Sequence, residues 1–417
     1  MNIYTVATIT ALFFGLILQL WLFLRQEKYV FQHRNNVPEL FRGHISLESH
    51  QKAADYTIAK THLLLIEEIF TALVFLFWTI GGSLNSLDNF WRAYISTPIW
   101  IGAAFIISFS LSMSILDLPL AIYRTFIIEE RFGFNRTTPR LFVTDTIKQL
   151  ILFVLFGTPL ACIVLWLMET AGENWWIYTW CVWMTFIVFM TWTFPTFIAP
   201  LFNKFTPLVD EEIRVRVTSL VERCGFHTDA IHVMDSSRRS THGNAYFTGF
   251  GQNKRIVFFD TLVKCLSPDQ IETVLAHELG HFSYRHVFKR WLVIGTMSLI
   301  GLSILGYLRH DPLFFFGLGV EFPSSHTALI LFILVTPLFT LFIQPFLSHF
   351  LRQHEFEADR FSCQTTGKPQ ALKEALLNLY QENAGTLTPD PLYSAFYDSH
   401  PPAVIRLSQI ILLENQA

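Results

Sequence analysis

Seven apolar runs, each long enough to cross a lipid bilayer, limit what this chain can fold into more than any other feature. They lie at about 3–24, 62–83, 98–123, 147–168, 175–200, 291–308 and 327–347. In a hydrocarbon core roughly 30 Å thick every backbone polar group needs an internal partner, so runs of about 20 apolar residues span it as helices. Composition agrees, with 52% hydrophobic and 16% aromatic residues and only 15% charged, where a soluble domain has about 25%. The first run is too long for a signal-peptide core and lacks basic residues ahead of it, so it reads as a retained span. A net charge of −3 without a basic block argues against a nucleic-acid partner. The five cysteines, Cys162, Cys181, Cys224, Cys265 and Cys363, are scattered and odd in number, which suits free thiols better than a disulfide frame.

Charges between the runs sort by side. The first loop carries Arg25, Lys28, Arg34, Arg42, Lys52 and Lys60, while the second has only Arg92. Arg124, Arg131, Arg136, Arg140 and Lys148 fill the third; the fourth, around Glu169 and Glu173, has no basic residue. The fifth is long and basic, and the sixth has Arg309 alone. The positive-inside rule therefore makes the odd loops and the C-terminal tail cytoplasmic and the N-terminus external, as an odd number of spans requires.

These assignments predict a mainly α, polytopic membrane protein with a cytoplasmic α+β module. Residues 1–200 hold spans one to five, 201–290 the first part of the module, 291–347 spans six and seven, and 348–417 a helical second part that packs on the first. Within 201–290, Ile213, Val217, Leu220, Val221 and Cys224 recur at helical spacing, and Gly225 suits a C-cap. Strand-like runs follow at 230–234, 244–248 and 255–259, the last two joined by a Gly-rich turn at 249–253.

The chemistry is written in His277-Glu278-Leu279-Gly280-His281. Ser267 as N-cap, Pro268 in the first turn and Gln270 completing a capping box predict a helix there. Histidines four apart share a helix face and can hold one zinc ion, while Glu278 is placed to take a proton from water. The bland reading makes them ordinary polar residues on a surface helix, but a capped helix rooted at the membrane argues for the metal. A third protein ligand is then needed. The local H-E-x-x-H-x-x-G-x-x-H extension fails, since Tyr284 and Val287 stand where Gly and His belong. Asp311 and Glu321 lie across the membrane. The first acids back on the correct side are Glu355, Glu357 and Asp359. Glu355 and Asp359 share a face and Glu357 points away, so Glu355 is the favoured ligand and Asp359 the carboxylate that orients a ligating histidine. Asp260, Asp269, Glu272, His286 and His354 are weaker ligand candidates. His310 and His326 read as interfacial or loop residues.

The residues resemble a known family, the type I CAAX prenyl endopeptidases, seven-span zinc metalloproteases that process farnesylated precursors such as a yeast mating pheromone and prelamin. Beyond H-E-L-G-H, the likeness covers Glu129-Glu130-Arg131-Phe132-Gly133-Phe134-Asn135, the run 199–208 (A-P-L-F-N-K-F-T-P-L), Asn244-Ala245-Tyr246-Phe247 and the run 254–262 (K-R-I-V-F-F-D-T-L). Glu355-Phe356-Glu357-Ala358-Asp359 and Ser399-His400-Pro401-Pro402 follow in family order. The resemblance implies an α-helical barrel around an intramembrane chamber, one zinc ion on His277, His281 and Glu355, and Glu278 as general base. It also implies that Asn244 and Ala245 pair with extended substrate backbone, and that His400 and Arg406 polarise the scissile carbonyl or hold substrate near it. Read without the family, His400 is equally a turn residue and Arg406 a surface charge.

The expected activity is hydrolysis of peptide bonds near the C-terminus of protein or peptide substrates, prenylated CAAX substrates among them. The rival from another class is a zinc transporter or metal chaperone, which acids lining the spans would support; only Glu67, Glu68 and Asp117 lie there. The sequence ends Leu413-Glu414-Asn415-Gln416-Ala417 without a dilysine signal, which favours a bacterial inner-membrane location over the endoplasmic reticulum.

Overall fold

A computed structural model describes residues 2–248 and 253–415. The Gly-rich turn expected at 249–253 falls almost wholly outside the described residues, as does the end of the C-terminal tail.

Seven helices are long and apolar enough to cross a membrane: Ile3–His33, Leu47–Trp78, Pro98–Glu129, Pro139–Thr170, Gly172–Phe202, His286–Leu308 and Ser325–Thr366. Six contain an expected run whole, and Leu47–Trp78 covers the second run, 62–83, as far as Trp78. Several are longer than a bilayer needs, because polar caps rather than the apolar runs set their starts. Asn2, Ser46 and Thr138 accept hydrogen bonds from the backbone N–H groups of Thr5, Ser49 and Leu141. At 1.5 Å per residue the 32 residues of Leu47–Trp78 reach about 48 Å, well beyond the hydrocarbon.

The helices do not pack into a solid bundle. Within the most apolar stretch of each span only 11–33% of residues are buried, so inward faces as well as lipid-facing ones stay open. The helices surround a chamber that is closed at both ends. One closure joins the N-terminus to the even-numbered loops: Tyr4 Oη donates to Asp311 (2.7 Å), Thr5 Oγ1 to the Gly317 carbonyl (2.7 Å) and Ser325 to Glu169 (2.5 Å). Leu84, Phe105, Trp175, Phe315 and Leu331 form the core beneath. His326 belongs here and is no loop residue. It is buried, with Nε2 2.7 Å from Asp88, which also holds Arg92 at 2.8 Å.

The soluble module closes the other end. Its sheet runs β1 (Phe205–Pro207), β2 (His227–Met234), β4 (Asn253–Phe259), β3 (Ala245–Thr248), with β2 and β4 parallel and the outer pairs antiparallel. The helix Glu211–Arg223 and the histidine helix Pro268–Ser283 share one apolar core with the sheet, built on Val217, Leu220, Ile256, Phe258, Ile271, Leu275 and Leu279. The carboxylate helix Gln344–Thr366 continues the seventh span into the module, and Pro369–Glu382 and Ala403–Glu414 complete it. Membrane and module are stitched by backbone. Arg136 N–H donates to the Arg239 carbonyl (3.0 Å) and Thr241 N–H to that of Phe134 (3.2 Å). The Arg239 guanidinium then reaches Asp145, Asn203 and the Phe202 carbonyl, at 2.9, 2.9 and 2.7 Å.

Candidate metal centre

The histidine helix forms as its sequence dictates. Ser267 accepts from Gln270 N–H while the Gln270 side chain accepts from Ser267 N–H, a complete capping box, with Pro268 in the first turn. Its apolar stripe, Ile271, Leu275 and Leu279, is buried in the module core. The adjoining face presents His277 and His281 to the carboxylate helix. Gly280 permits the approach: a Cβ there would lie 3.0 Å from Ala358 Cα and 3.1 Å from Phe361 Cβ.

Two imidazole nitrogens and both oxygens of one carboxylate converge. His277 Nε2 lies 3.4 Å from Glu355 Oε2, His281 Nε2 lies 3.4 Å from Glu355 Oε1, and the two Nε2 atoms are 3.3 Å apart. These are poor hydrogen-bond lengths but good edges for a coordination tetrahedron. Donors ~2.0–2.1 Å from a tetrahedral zinc stand about 3.3–3.4 Å from one another. Glu355 Oε2 is buried without a hydrogen-bond partner, a cost of roughly 1–3 kcal/mol or more for a charged group unless an ion takes it up. Burial opposes charge on His277, yet Asp359 and Glu355 outweigh it and hold the ring up to about 9. The potential at this point favours a cation, and the donor set fits one metal ion.

Each histidine is held from behind. His277 Nδ1 donates to Asp359 (2.8 Å), which in turn accepts both forks of Arg406 at 2.7 Å. All three are at least nine-tenths buried. Arg406 thus has a partner that the sequence did not suggest, and its nearest approach to Glu355 is 3.9 Å. His281 Nδ1 meets Nδ1 of fully buried His286 at 2.9 Å, and His286 Nε2 donates to Glu357 at 2.7 Å. His354 stacks flat on His286, centroids 3.9 Å apart. Glu357 points away from the donors, as expected, but still touches the site. It does so through His286, because Arg285 adopts a left-handed conformation (φ 56°) that folds His286 back beside His281.

Glu278 is half-buried beside the donors, and burial lifts its carboxyl above the ordinary range against the pull of His277. His400 sits at the rim, its Nε2 3.5 Å from Glu355 and its Nδ1 3.0 Å from Ser399 Oγ. Burial keeps its pKa below the usual imidazole value, so near neutrality it offers an N–H rather than a cation. Ala245 opens β3, an outer strand with one unpaired edge, and Asn244 precedes it, its carbonyl accepting from Phe259 N–H (3.0 Å). Of the weaker ligand candidates, His286 and His354 stand behind His281, and the other three lie elsewhere. Asp260 is taken by Ser236 and Ser237, and Asp269 and Glu272 by Lys368, Arg216 and Arg223. All five cysteines are free thiols.

Comparison with known proteins gives one answer along the whole chain. Residues 26–204 match the model for the CAAX prenyl protease N-terminal region, five membrane helices, and residues 207–412 match peptidase family M48. A CAAX prenyl protease 1 homolog of Arabidopsis thaliana is 33% identical over 90% of this chain and 90% of its own. CAAX prenyl protease 1 of Saccharomyces cerevisiae is 32% identical over 93% and 91%. The crystal structure of S. mikatae Ste24p superposes with a TM-score of 0.89 at 28% identity, covering 98% of this chain and 99% of that one.

Proposed function

The chain belongs to the CAAX prenyl protease 1 group of peptidase family M48, membrane metalloendopeptidases, and we propose that it is a zinc enzyme cutting near the C-terminus of CAAX-type substrates. His277, His281 and Glu355 hold one zinc ion. When bound, it supplies a Lewis acid toward water and the scissile carbonyl. Glu278 takes the proton of the attacking water and passes it to the leaving amine, a task suited to a carboxyl whose pKa burial has raised. His400, presenting an N–H at the rim, donates to the carbonyl oxygen as negative charge develops there. Arg406 acts through Asp359, fixing the His277 ring so that Nε2 faces the metal. The free edge of β3 at Asn244 and Ala245 takes the extended substrate backbone as an added strand.

The observation that carries this reading is the cluster of two Nε2 atoms and the Glu355 carboxylate, with contacts at 3.3–3.4 Å and both Nδ1 atoms engaged behind it. A transporter needs no base beside the metal, whereas Glu278 follows His277 directly and senses its charge. Mass spectrometry of CAAX peptides, farnesylated and not, incubated with purified protein is the test. The parent protein cuts, the chelated one does not, and Glu278→Gln keeps its zinc while losing about 100- to 10,000-fold in rate. Cleavage by Glu278→Gln at the parent rate would sink the assignment of the base. Equal rates on both peptides would remove the prenyl group from the specificity.

A further inference from the structure

Two of the runs that mark the family resemblance, 199–208 and 254–262, contribute nothing to the metal centre. They meet instead at a cavity of about 360 Å³ where the fifth span runs into β1, between Pro195 and Pro200 on the membrane side and Lys204, His232 and Arg255 on the sheet side. Among the described side chains no acidic residue lines it. The nearby carboxylates are already engaged, Asp235 by Arg238 at 3.3 Å and Asp145 by Arg239 at 2.8 Å. Among the side chains the structure describes, which do not include that of Asp229, neither the Lys204 ammonium nor the Arg255 guanidinium has a carboxylate partner. Asn203 also lines the cavity, and since its carbonyl oxygen accepts from Arg239, its NH₂ end remains to donate. His232 Nδ1 is buried without a partner; burial, then Arg255, keeps the ring neutral near pH 7, so it too can offer an N–H.

The surroundings identify the occupant. Trp192, Phe194, Phe197 and Leu201, on the last turns of the same span, are exposed and apolar, as befits side chains among lipid tails and headgroups. Two cations with no carboxylate partner among the described side chains, and two neutral donors beside them, suit a phosphate ester, and a guanidinium fork matches its oxygens. We propose that this cavity binds the phosphate of one anionic lipid headgroup, with Lys204 and Arg255 neutralising it and Asn203 and His232 donating hydrogen bonds. The lipid ties the end of the fifth span to the sheet edge of the module.

Native mass spectrometry of the full-length protein in detergent, titrated with dioctanoyl phosphatidylglycerol, tests this. The parent takes up one lipid per chain. The double variant Lys204→Gln/Arg255→Gln binds it about 10- to 30-fold more weakly, as removal of two cations near a lipid surface should give. Lys204→Arg/Arg255→Lys, which keeps both charges, retains binding and guards against a folding artefact. Arg214→Gln/Lys264→Gln, with the same loss of charge elsewhere on the module, binds like the parent. Equal lipid uptake by the parent and the Gln double variant overturns the proposal. So does full displacement of the lipid by millimolar inorganic phosphate, which would make this a site for the free anion.

Discussion

At the scale of single residues, the two histidines proposed to face the metal are oriented by different devices, and substitution should separate them. Glu355→Ala leaves only two donors, so metal content and cleavage both collapse. Asp359→Ala frees the His277 ring and strands Arg406, and should weaken metal affinity by about 10- to 100-fold. Glu357→Ala removes only the far end of the His281–His286 relay, and Glu357 is itself partly exposed, so a loss at or below about tenfold is expected. Chelator competition on the three purified variants measures all of this. Unchanged affinity in Asp359→Ala would remove the carboxylate from its orienting role. Glu355 and Asp359 were legible from helix spacing and topology, since both face one way on a single helix. Glu357 was not. Its role depends on the left-handed turn at Arg285, and a non-glycine residue with positive φ leaves no sign in the local pattern.

Among elements, the histidine helix was the most readable, because its cap, proline and apolar stripe are all local signals that agree. Strand β1 was missed: three residues ending in a proline at the sheet's outer edge show no alternation, and only pairing with β2 makes them a strand. The close crossing of the histidine and carboxylate helices depends on Gly280. Gly280→Val puts branched carbon where Ala358 backbone already stands, and should lower stability by about 1–3 kcal/mol while also loosening metal binding. Thermal unfolding and metal affinity of that variant check it; parent-like values for both would mean that the helices have room to spare. Ser267→Ala, which only breaks the cap, should cost about 1 kcal/mol in stability and leave the donor cluster intact. A metal-free Ser267→Ala protein would show that the cap positions the site.

For the whole molecule, the sequence's alternation of charge makes a prediction about sidedness. In a background without native cysteines, Ser86→Cys and Glu321→Cys should react with an impermeant thiol reagent added outside intact cells, and Glu48→Cys only after permeabilisation. All three positions are exposed. Gly319, in the same loop as Glu321, would be a poor probe, since a Cβ there falls 2.2 Å from the Thr79 carbonyl oxygen. The opposite labelling pattern would put the metal centre outside. That seven spans exist was plain from composition, but their enclosing a chamber was not, because hydropathy marks a helix as membranous without saying whether its inner face meets protein or open space. The distribution of donors along the chain has a further consequence, for synthesis. His277 and His281 leave the ribosome two spans ahead of Glu355, and Arg406 follows later still. On the proposed reading, a nascent chain therefore carries the histidine pair and the base without the third donor until the seventh spanning helix has been made, and a truncation before that helix leaves a membrane protein with an incomplete metal site.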